Sequence, residues 1–298
     1  MLPPFELLRP RTLDEAVALL CEKGMSCKIL AGGTDLLVKM HESFDGPAFV
    51  LDIKGLEALR AFGETPAGGF TAGALTTHFT LSRDAVLKKR CTALAEAAES
   101  VGSLQIRHRA TVGGNICNAA PSGDTLGPLL ALDAVFVAYG PGGSRQIPAA
   151  GFFAGPGRTV LLQGELLKEI LLPPQEDGMG SAYIKFARRK AMDLALLGAS
   201  AALTLDAAGC FSHVRVSLTT AGPTPMRAPE TEAFLKGRAA KESVIAEAGR
   251  IASREAKPRG SWRSSEEYRR DILETIVPAA IRKAMLRAQG PEADRRQG

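Results

Sequence analysis

Twice along its 298 residues this chain runs an apolar stretch into a pair of glycines, and those two turns constrain the fold more than any other feature. In the first, Ile29-Leu30-Ala31 leads into Gly32-Gly33-Thr34-Asp35 and then into the helix-compatible Leu36 to His41. Glycine lets a backbone approach a ligand closely, and N–H groups at a helix start carry partial positive charge, so this arrangement suits phosphate or pyrophosphate. The Thr34 hydroxyl adds a donor, whereas Asp35 would repel phosphate and is expected to cap the helix or point inward. The same residues also make a plain strand-to-helix turn, and the turn alone does not separate the two readings. The second stretch, Ala110-Thr111-Val112-Gly113-Gly114-Asn115, offers the Thr111 hydroxyl, two glycine N–H groups and Asn115 as small donors. Two such loops suit one extended ligand, such as a dinucleotide. Neither is G-x-G-x-x-G and no G-x-x-x-x-G-K-S/T is present, which excludes Rossmann and P-loop readings. Asp124 is placed either to hold a ribose hydroxyl or to sit in a surface turn with Pro121, Ser122 and Gly123.

Other chemistries find little support. The histidines His41, His78, His108 and His213 are far apart with no metal-ligand spacing, and no G-x-S-x-G elbow occurs. The cysteines Cys21, Cys27, Cys91, Cys117 and Cys210 are scattered without a C-x-x-C pair, so neither a disulfide framework nor an iron–sulfur site is expected on this chain. Cys117 reads as a small buried hydrophobe. The start lacks a basic segment before an apolar run, and the longest apolar stretch, Leu126 to Tyr139, is too short and too interrupted to span a bilayer. A cytoplasmic protein is expected. Net charge is +5, and from Arg254 onward eleven Lys or Arg stand against seven Asp or Glu. Acids interleave with that basic excess and aromatics are few, so solvated helix faces and a subunit contact are expected rather than a nucleic-acid groove.

Local patterns set the organisation. A T-x-x-E capping box at Thr12 and Glu15, an apolar face of Ala16, Leu19 and Leu20, and Gly24 predict a first helix. Strands are expected at 27–31, 48–53, 70–75, 132–139 and 165–172, with helices at 82–86 and 91–101. The Pro- and Gly-rich segment around 173–180 reads as a boundary. Beyond it, a hairpin of 199–205 and 213–219 precedes helices at 230–235, 241–254 and 264–288, the last capped from Ser264 and broken or kinked at Pro278. This pattern indicates an α+β unit.

Several longer stretches resemble one family. ILAGGTDLL at 29–37, QIRHRATVGGNICNAAPSGD at 105–124, GPLLALDA at 127–134 and GELLKEILLP at 164–173 are similar to the FAD-binding medium subunit of molybdenum hydroxylases. So are YIKFARRKAMDLALLGA at 183–199, TTAGPTPMRAPETEAFLKG at 219–237 and RGSWRSSEEYRRDIL at 259–273. They run in the family's order across nearly the whole chain, with wording nearer the xanthine dehydrogenase branch than the carbon monoxide dehydrogenase branch.

The resemblance implies an α+β fold: a vanillyl-alcohol-oxidase-type FAD-binding pair of α/β subdomains, 1–60 and 61–175, followed by a C-terminal α+β domain, 176–298. It implies that Ile29, Leu30, Ala31, Gly32, Gly33, Thr34, Asp35 and Leu36, with Thr111, Val112, Gly113, Gly114 and Asn115, hold the pyrophosphate of FAD. Val101 and Gly102 match positions near the adenine, Asp124 a ribose contact, Leu167 and Lys185 positions near the isoalloxazine, and Leu194 a residue close to one ring face. His108 departs from the family, which usually has Asn there. The implied function is electron transfer from 2Fe–2S clusters on a small partner subunit, through FAD, to NAD or another acceptor. A large partner subunit would carry the molybdopterin cofactor, in a dimer of heterotrimers. The alternatives are a free-standing flavoprotein oxidoreductase and a non-catalytic interaction module. No nucleic-acid partner and no membrane span are expected.

Overall fold

A computed structural model of the chain describes residues 2–42 and 46–290. The first unit is a small parallel sheet in the order β1-β3-β2, from β1 (Glu6–Leu8), β2 (Cys27–Leu30) and β3 (Phe49–Asp52), with α1 (Leu13–Lys23) and α2 (Leu36–Glu42) as the crossovers parallel strands require. Helix α1 starts and stops where local chemistry dictates. The Thr12 hydroxyl accepts from the Glu15 N–H at 3.1 Å, and Gly24 ends the helix at φ +55°. The Glu15 carboxylate reaches back to the Arg11 N–H at 2.7 Å, one residue before the usual capping-box partner. Ala16, Val17 and Leu20 bury against Leu51 and Ile53.

The second unit is a five-stranded antiparallel sheet, β4-β5-β10-β6-β7, of β4 (Phe62–Glu64), β5 (Phe70–Gly73), β6 (Val135–Gly140), β7 (Gly143–Pro148) and β10 (Leu166–Leu172). A ribbon of β8 (Phe153–Gly155) and β9 (Arg158–Thr159) lies between β7 and β10 in sequence. The sheet's apolar face packs against short helices, α3 (His78–Arg83), α4 (Ala85–Arg90), α5 (Thr92–Ser100), α7 (Val112–Asn118) and α8 (Leu126–Ala131), while α6 (Leu104–Arg109) adds no residue to that core. Two sequence expectations change here. The helix over 82–86 is divided, because Asp84 leaves helical geometry at ψ 130° and its carboxylate caps α4 through the Leu87 N–H at 2.9 Å. The strand over 132–139 starts only at Val135, because Leu132 closes α8 and Asp133 turns the chain at φ +51°.

The C-terminal unit is an antiparallel sheet, β11-β12-β13-β14, of β11 (Gly180–Phe186), β12 (Leu197–Leu205), β13 (Phe211–Thr219) and β14 (Met226–Arg227). Helices α9 (Pro229–Leu235), α10 (Glu242–Glu255) and α11 (Glu266–Ala288) complete it. Ala199, Ala201 and Leu203 of β12 face those helices, while Ala202 joins the core of the second unit and Ser217 of β13 donates to the Gly127 carbonyl at 2.6 Å. A strand covered on both faces has no use for polar alternation, which accounts for the run of small and apolar residues in β12. Helix α11 is continuous through Pro278 and its cap is Ser265, which accepts from the Tyr268 N–H at 3.1 Å, rather than Ser264. The Pro278 ring seats on Gly249 of α10, where a side-chain carbon would come within 2.7 Å of it.

Glu96 of α5 clamps the two halves together. It accepts from Arg287 (2.6 Å), Lys283 (2.7 Å) and the Tyr183 N–H (2.9 Å), and Arg287 also donates to the Ser181 carbonyl at 2.7 Å. Burial alone would raise the Glu96 carboxyl, but these donors outweigh it and hold it below the usual carboxylate range. The stabilisation is therefore present above the ordinary carboxylate pKa and lost as pH falls through the lowered value. Glu96→Gln is expected to lower stability by about 2–3 kcal/mol at neutral pH. In thermal melts the gap between variant and wild type should narrow on acidification.

Candidate functional site

The two glycine turns lie directly against each other. A side-chain carbon on Gly32 would sit 2.1 Å from the Arg109 carbonyl oxygen, so only glycine admits this contact. Gly33 follows at φ +81°, a left-handed geometry that also favours glycine. Their helices are bridged: Asn118 donates to the Asp35 carboxylate at 3.1 Å and accepts from Lys39 at 2.5 Å. Asp35 thus reaches across to α7, where the sequence suggested a cap or an inward-pointing group.

The loops divide the work unequally. Among the described residues, the backbone N–H groups of Gly32, Gly33, Thr34, Asp35 and Leu36 have no protein acceptor. The second loop spends its donors internally. Val112 N–H donates to the Thr76 carbonyl at 2.9 Å, Gly113 N–H to the Ala74 carbonyl at 3.0 Å, and Gly114 N–H to the Thr111 hydroxyl at 3.1 Å. The two glycine N–H groups expected as donors to a ligand are therefore already taken. Gly113 and Gly114 lie in the first turn of α7, and a side-chain carbon on Gly113 would meet Ala74 at 2.6 Å. What the second loop offers is the Thr111 hydroxyl and the Asn115 amide nitrogen, since the Asn115 oxygen already accepts from Thr125 at 2.8 Å.

Both loops border one cavity of about 1150 Å³, above the roughly 300–1,000 Å³ usual for small-ligand sites and roomy enough for an extended dinucleotide. Of the positions singled out in the sequence, Ile29, Ala31, Gly32, Gly33, Thr34, Asp35 and Leu36 line it, as do Thr111, Gly113, Gly114, Asn115 and Asp124. Val101 and Gly102 form part of another wall, Leu167 a further one, and Leu194, with Met192 and Asp193, borders it from the 187–194 loop. Three positions do not reach the cavity. Leu30 packs beneath Gly33, and Val112 is buried in the core of the second unit. Lys185 is committed elsewhere, donating to Asp124 at 2.8 Å and to the Ser100 carbonyl at 3.1 Å. Cys117 is exposed and lines the cavity instead of packing in the core.

Asp124 is only 7% exposed and is shared by the two halves of the chain, accepting from Lys185 and, at 2.7 Å, from the Tyr183 hydroxyl. Burial raises its carboxyl above the ordinary range and Lys185 offsets this in part; burial and the neighbouring carboxylate push the Tyr183 hydroxyl well up. Tyr183 and His78 were not legible as site residues, since neither belongs to a glycine turn. His78 borders the cavity at the start of α3, beside the second loop, its N–H donating to the Ala110 carbonyl at 3.0 Å. Its side chain is 0% exposed, and neither ring nitrogen has a partner among the described residues. Burial, aided by Arg107, lowers its pKa to about 4. His108 stacks on Phe79 with ring centroids 3.8 Å apart. Among the described residues, no group of three or more His, Cys, Asp or Glu is arranged to hold a metal ion, and no helix is long and apolar enough to cross a membrane.

Residues 3–175 match the FAD binding domain in molybdopterin dehydrogenase, and residues 182–284 match the CO dehydrogenase flavoprotein C-terminal domain. This chain belongs to the FAD-binding subunits of the molybdenum hydroxylase family. It is 36% identical over 283 residues to the xanthine dehydrogenase FAD-binding subunit of Escherichia coli O157:H7, covering 95% of this chain and 96% of that one. It is 34% identical over 288 residues to the carbon monoxide dehydrogenase medium chain of Hydrogenophaga pseudoflava, covering 96% and 99%. Among solved structures, carbon monoxide dehydrogenase from Hydrogenophaga pseudoflava superposes with a TM-score of 0.91 at 34% identity, over 95% of this chain and 98% of that one. Quinoline 2-oxidoreductase from Pseudomonas putida 86 gives 0.90 at 26% identity, over 97% and 99%. The α+β fold, an FAD-binding domain followed by a C-terminal domain, is thus shared with oxidoreductase subunits. The cavity fits the cofactor, because the unspent N–H row on Gly32 to Leu36 is the donor set a pyrophosphate needs.

Gly32→Ala is expected to force the loops apart, lowering stability by about 1–3 kcal/mol and weakening FAD uptake in a fluorescence titration. His78 makes a pH-dependent contribution. Its folded pKa lies below the ordinary histidine value, so stability is full above about 6.5 and declines as pH falls towards about 4. Up to about 3 kcal/mol is at stake over that interval. Denaturant titrations of His78→Phe should lose this part of the acid sensitivity.

Proposed function

We propose that this chain is the electron-transfer subunit of a xanthine-dehydrogenase-like enzyme, taking electrons from 2Fe–2S clusters on a small partner subunit and passing them to NAD or another acceptor. A large partner subunit would hold the molybdopterin cofactor, the three chains forming a dimer of heterotrimers in the cytoplasm. The relatives named as xanthine dehydrogenase subunits and as a medium chain support this reading. Bound FAD supplies a redox group that can be filled by one electron at a time and emptied two at a time.

The observation that carries the reading is the row of unspent amides on the first loop, bordering a cavity with the volume for a dinucleotide. In this role Gly32 to Leu36 bind the pyrophosphate, with the Thr34 and Thr111 hydroxyls and the Asn115 amide beside them. Val101 and Gly102 bound the adenine end and Leu167 and Leu194 the isoalloxazine. Asp124 receives the ribose while remaining tied to Lys185. Lys185 acts by holding Asp124 and the Ser100 carbonyl in place, so its part is to position the wall next to Val101. Residues 1–60 and 61–175 form the two FAD-binding subdomains and 176–298 the C-terminal domain, with 291–298 outside the described residues.

The purified chain should be yellow and carry one FAD. Co-purified with its partners, its flavin should bleach anaerobically when the molybdenum-site substrate is added. A colourless chain that takes up no FAD would contradict the binding role, and a flavin that the partners cannot reduce would contradict the electron-transfer role.

A further inference from the structure

One residue of the first glycine loop is at odds with an anionic ligand. Asp35 borders the cavity along with the unspent amides of Gly32 to Leu36, and its carboxylate repels the phosphates that those amides suit. Among the described residues, four carboxylates line the cavity: Asp35, Asp124, Glu165 and Asp193. Three are answered by a cation: Asp124 by Lys185 at 2.8 Å, Glu165 by Arg145 at 2.6 Å and Asp193 by Arg189 at 3.9 Å. Asp35 forms no ion pair among the described residues and meets the Asn118 amide at 3.1 Å instead. A doubly negative pyrophosphate placed here faces a charge that no direct partner cancels.

The answer to Asp35 comes at one remove. A carboxylate can only accept and an ammonium can only donate, so Asn118 turns its amide nitrogen to Asp35 and its oxygen to the Lys39 Nζ, 2.5 Å away. Helix geometry brings Lys39 to that spot. Its N–H donates to the Asp35 carbonyl at 3.0 Å, which sets Lys39 one turn on and on the same face, and helical side chains lean back over the preceding turn. Lys39 and Asn118 both line the cavity. Lys39 forms no ion pair among the described residues, and Asn118 takes only one of its three donors. Lys28 also lines the cavity, but among the described residues no hydrogen bond ties its ammonium to the first loop.

We propose that Lys39 is a further cofactor-binding residue of this chain: aimed by Asn118, its ammonium is the counter-charge for the pyrophosphate of FAD and offsets Asp35 beside it. The proposal rests on the functional reading above. Backbone amides offer dipoles without a full charge, and a hydrogen bond from an ammonium to a phosphate oxygen is about twice as strong as a neutral one. Asn118 is the positioning residue, holding Asp35 towards α7 and keeping Lys39 from closing directly onto it.

The test titrates the flavin-stripped full chain with FAD at low and at high salt. Lys39→Met keeps a good helix former and removes the charge. It is expected to bind FAD about tenfold more weakly than wild type at low salt, with the gap closing as salt is added. Its flavin-free melting temperature should stay at the wild-type value, because Lys39 is exposed. Riboflavin, which shares the flavin but has no phosphate, should bind variant and wild type alike. Lys28→Met, which removes the same charge from the same cavity, should lose less affinity than Lys39→Met. Unchanged FAD affinity in Lys39→Met at low salt would overturn the proposal. So would an equal loss in Lys28→Met, or a loss that salt leaves untouched and riboflavin shares. A wild-type chain that takes up no FAD would remove the functional reading itself.

Discussion

The contact of Gly32 with the Arg109 carbonyl is the constraint on which the rest depends. With no side chain between them, two loops almost eighty residues apart press together, and one pays out its amides to the protein while the other keeps them. Val112, Gly113 and Gly114 spend their N–H groups on Thr76, Ala74 and Thr111, which fixes the second loop rigidly behind the first. Gly32 to Leu36 keep theirs, and a run of unpaired amides at a cavity wall is a preorganised receptor for anionic oxygens. In the proposed role the second loop therefore gives support with its backbone and leaves recognition to the Thr111 hydroxyl and the Asn115 amide.

The C-terminal unit takes part in building the cavity from outside. Lys185 and Tyr183 on β11 hold Asp124, Lys185 holds the Ser100 carbonyl, and the neighbouring residues Val101 and Gly102 form part of the wall. Glu96 locks the same strand and α11 onto α5. The cavity of this FAD-binding subunit is accordingly a property of the whole chain, and weakening the seam between its halves should loosen the site even where no lining residue changes.

The sequence made some of this legible and hid the rest for physical reasons. Helix α1 could be read because its cap, apolar face and terminal glycine are all local. Helices α6, α7 and α8 were not foreseen, since six or seven residues are too few to display a helical period. Pro278 suggested a break or a kink; the helix is not broken there, and Gly249 on another helix leaves room for the proline ring. At the site, Gly32, Gly33 and Thr111 announced themselves by residue type. The destination of the Lys185 ammonium did not, because Asp124 and Ser100 reach it from distant parts of the chain. His78 and Tyr183 join the site in the same way, through tertiary contact alone.

The central claim is that the first glycine loop holds the cofactor's pyrophosphate with its own backbone amides. Residue-resolved hydrogen exchange on the chain with and without FAD tests it most directly. The amides of Gly32 to Leu36 should exchange freely in the flavin-free chain and become protected when FAD is added, while those of Val112 and Gly113 should be slow in both. Protection confined to other segments, with Gly32 to Leu36 exchanging equally fast in both states, would contradict it.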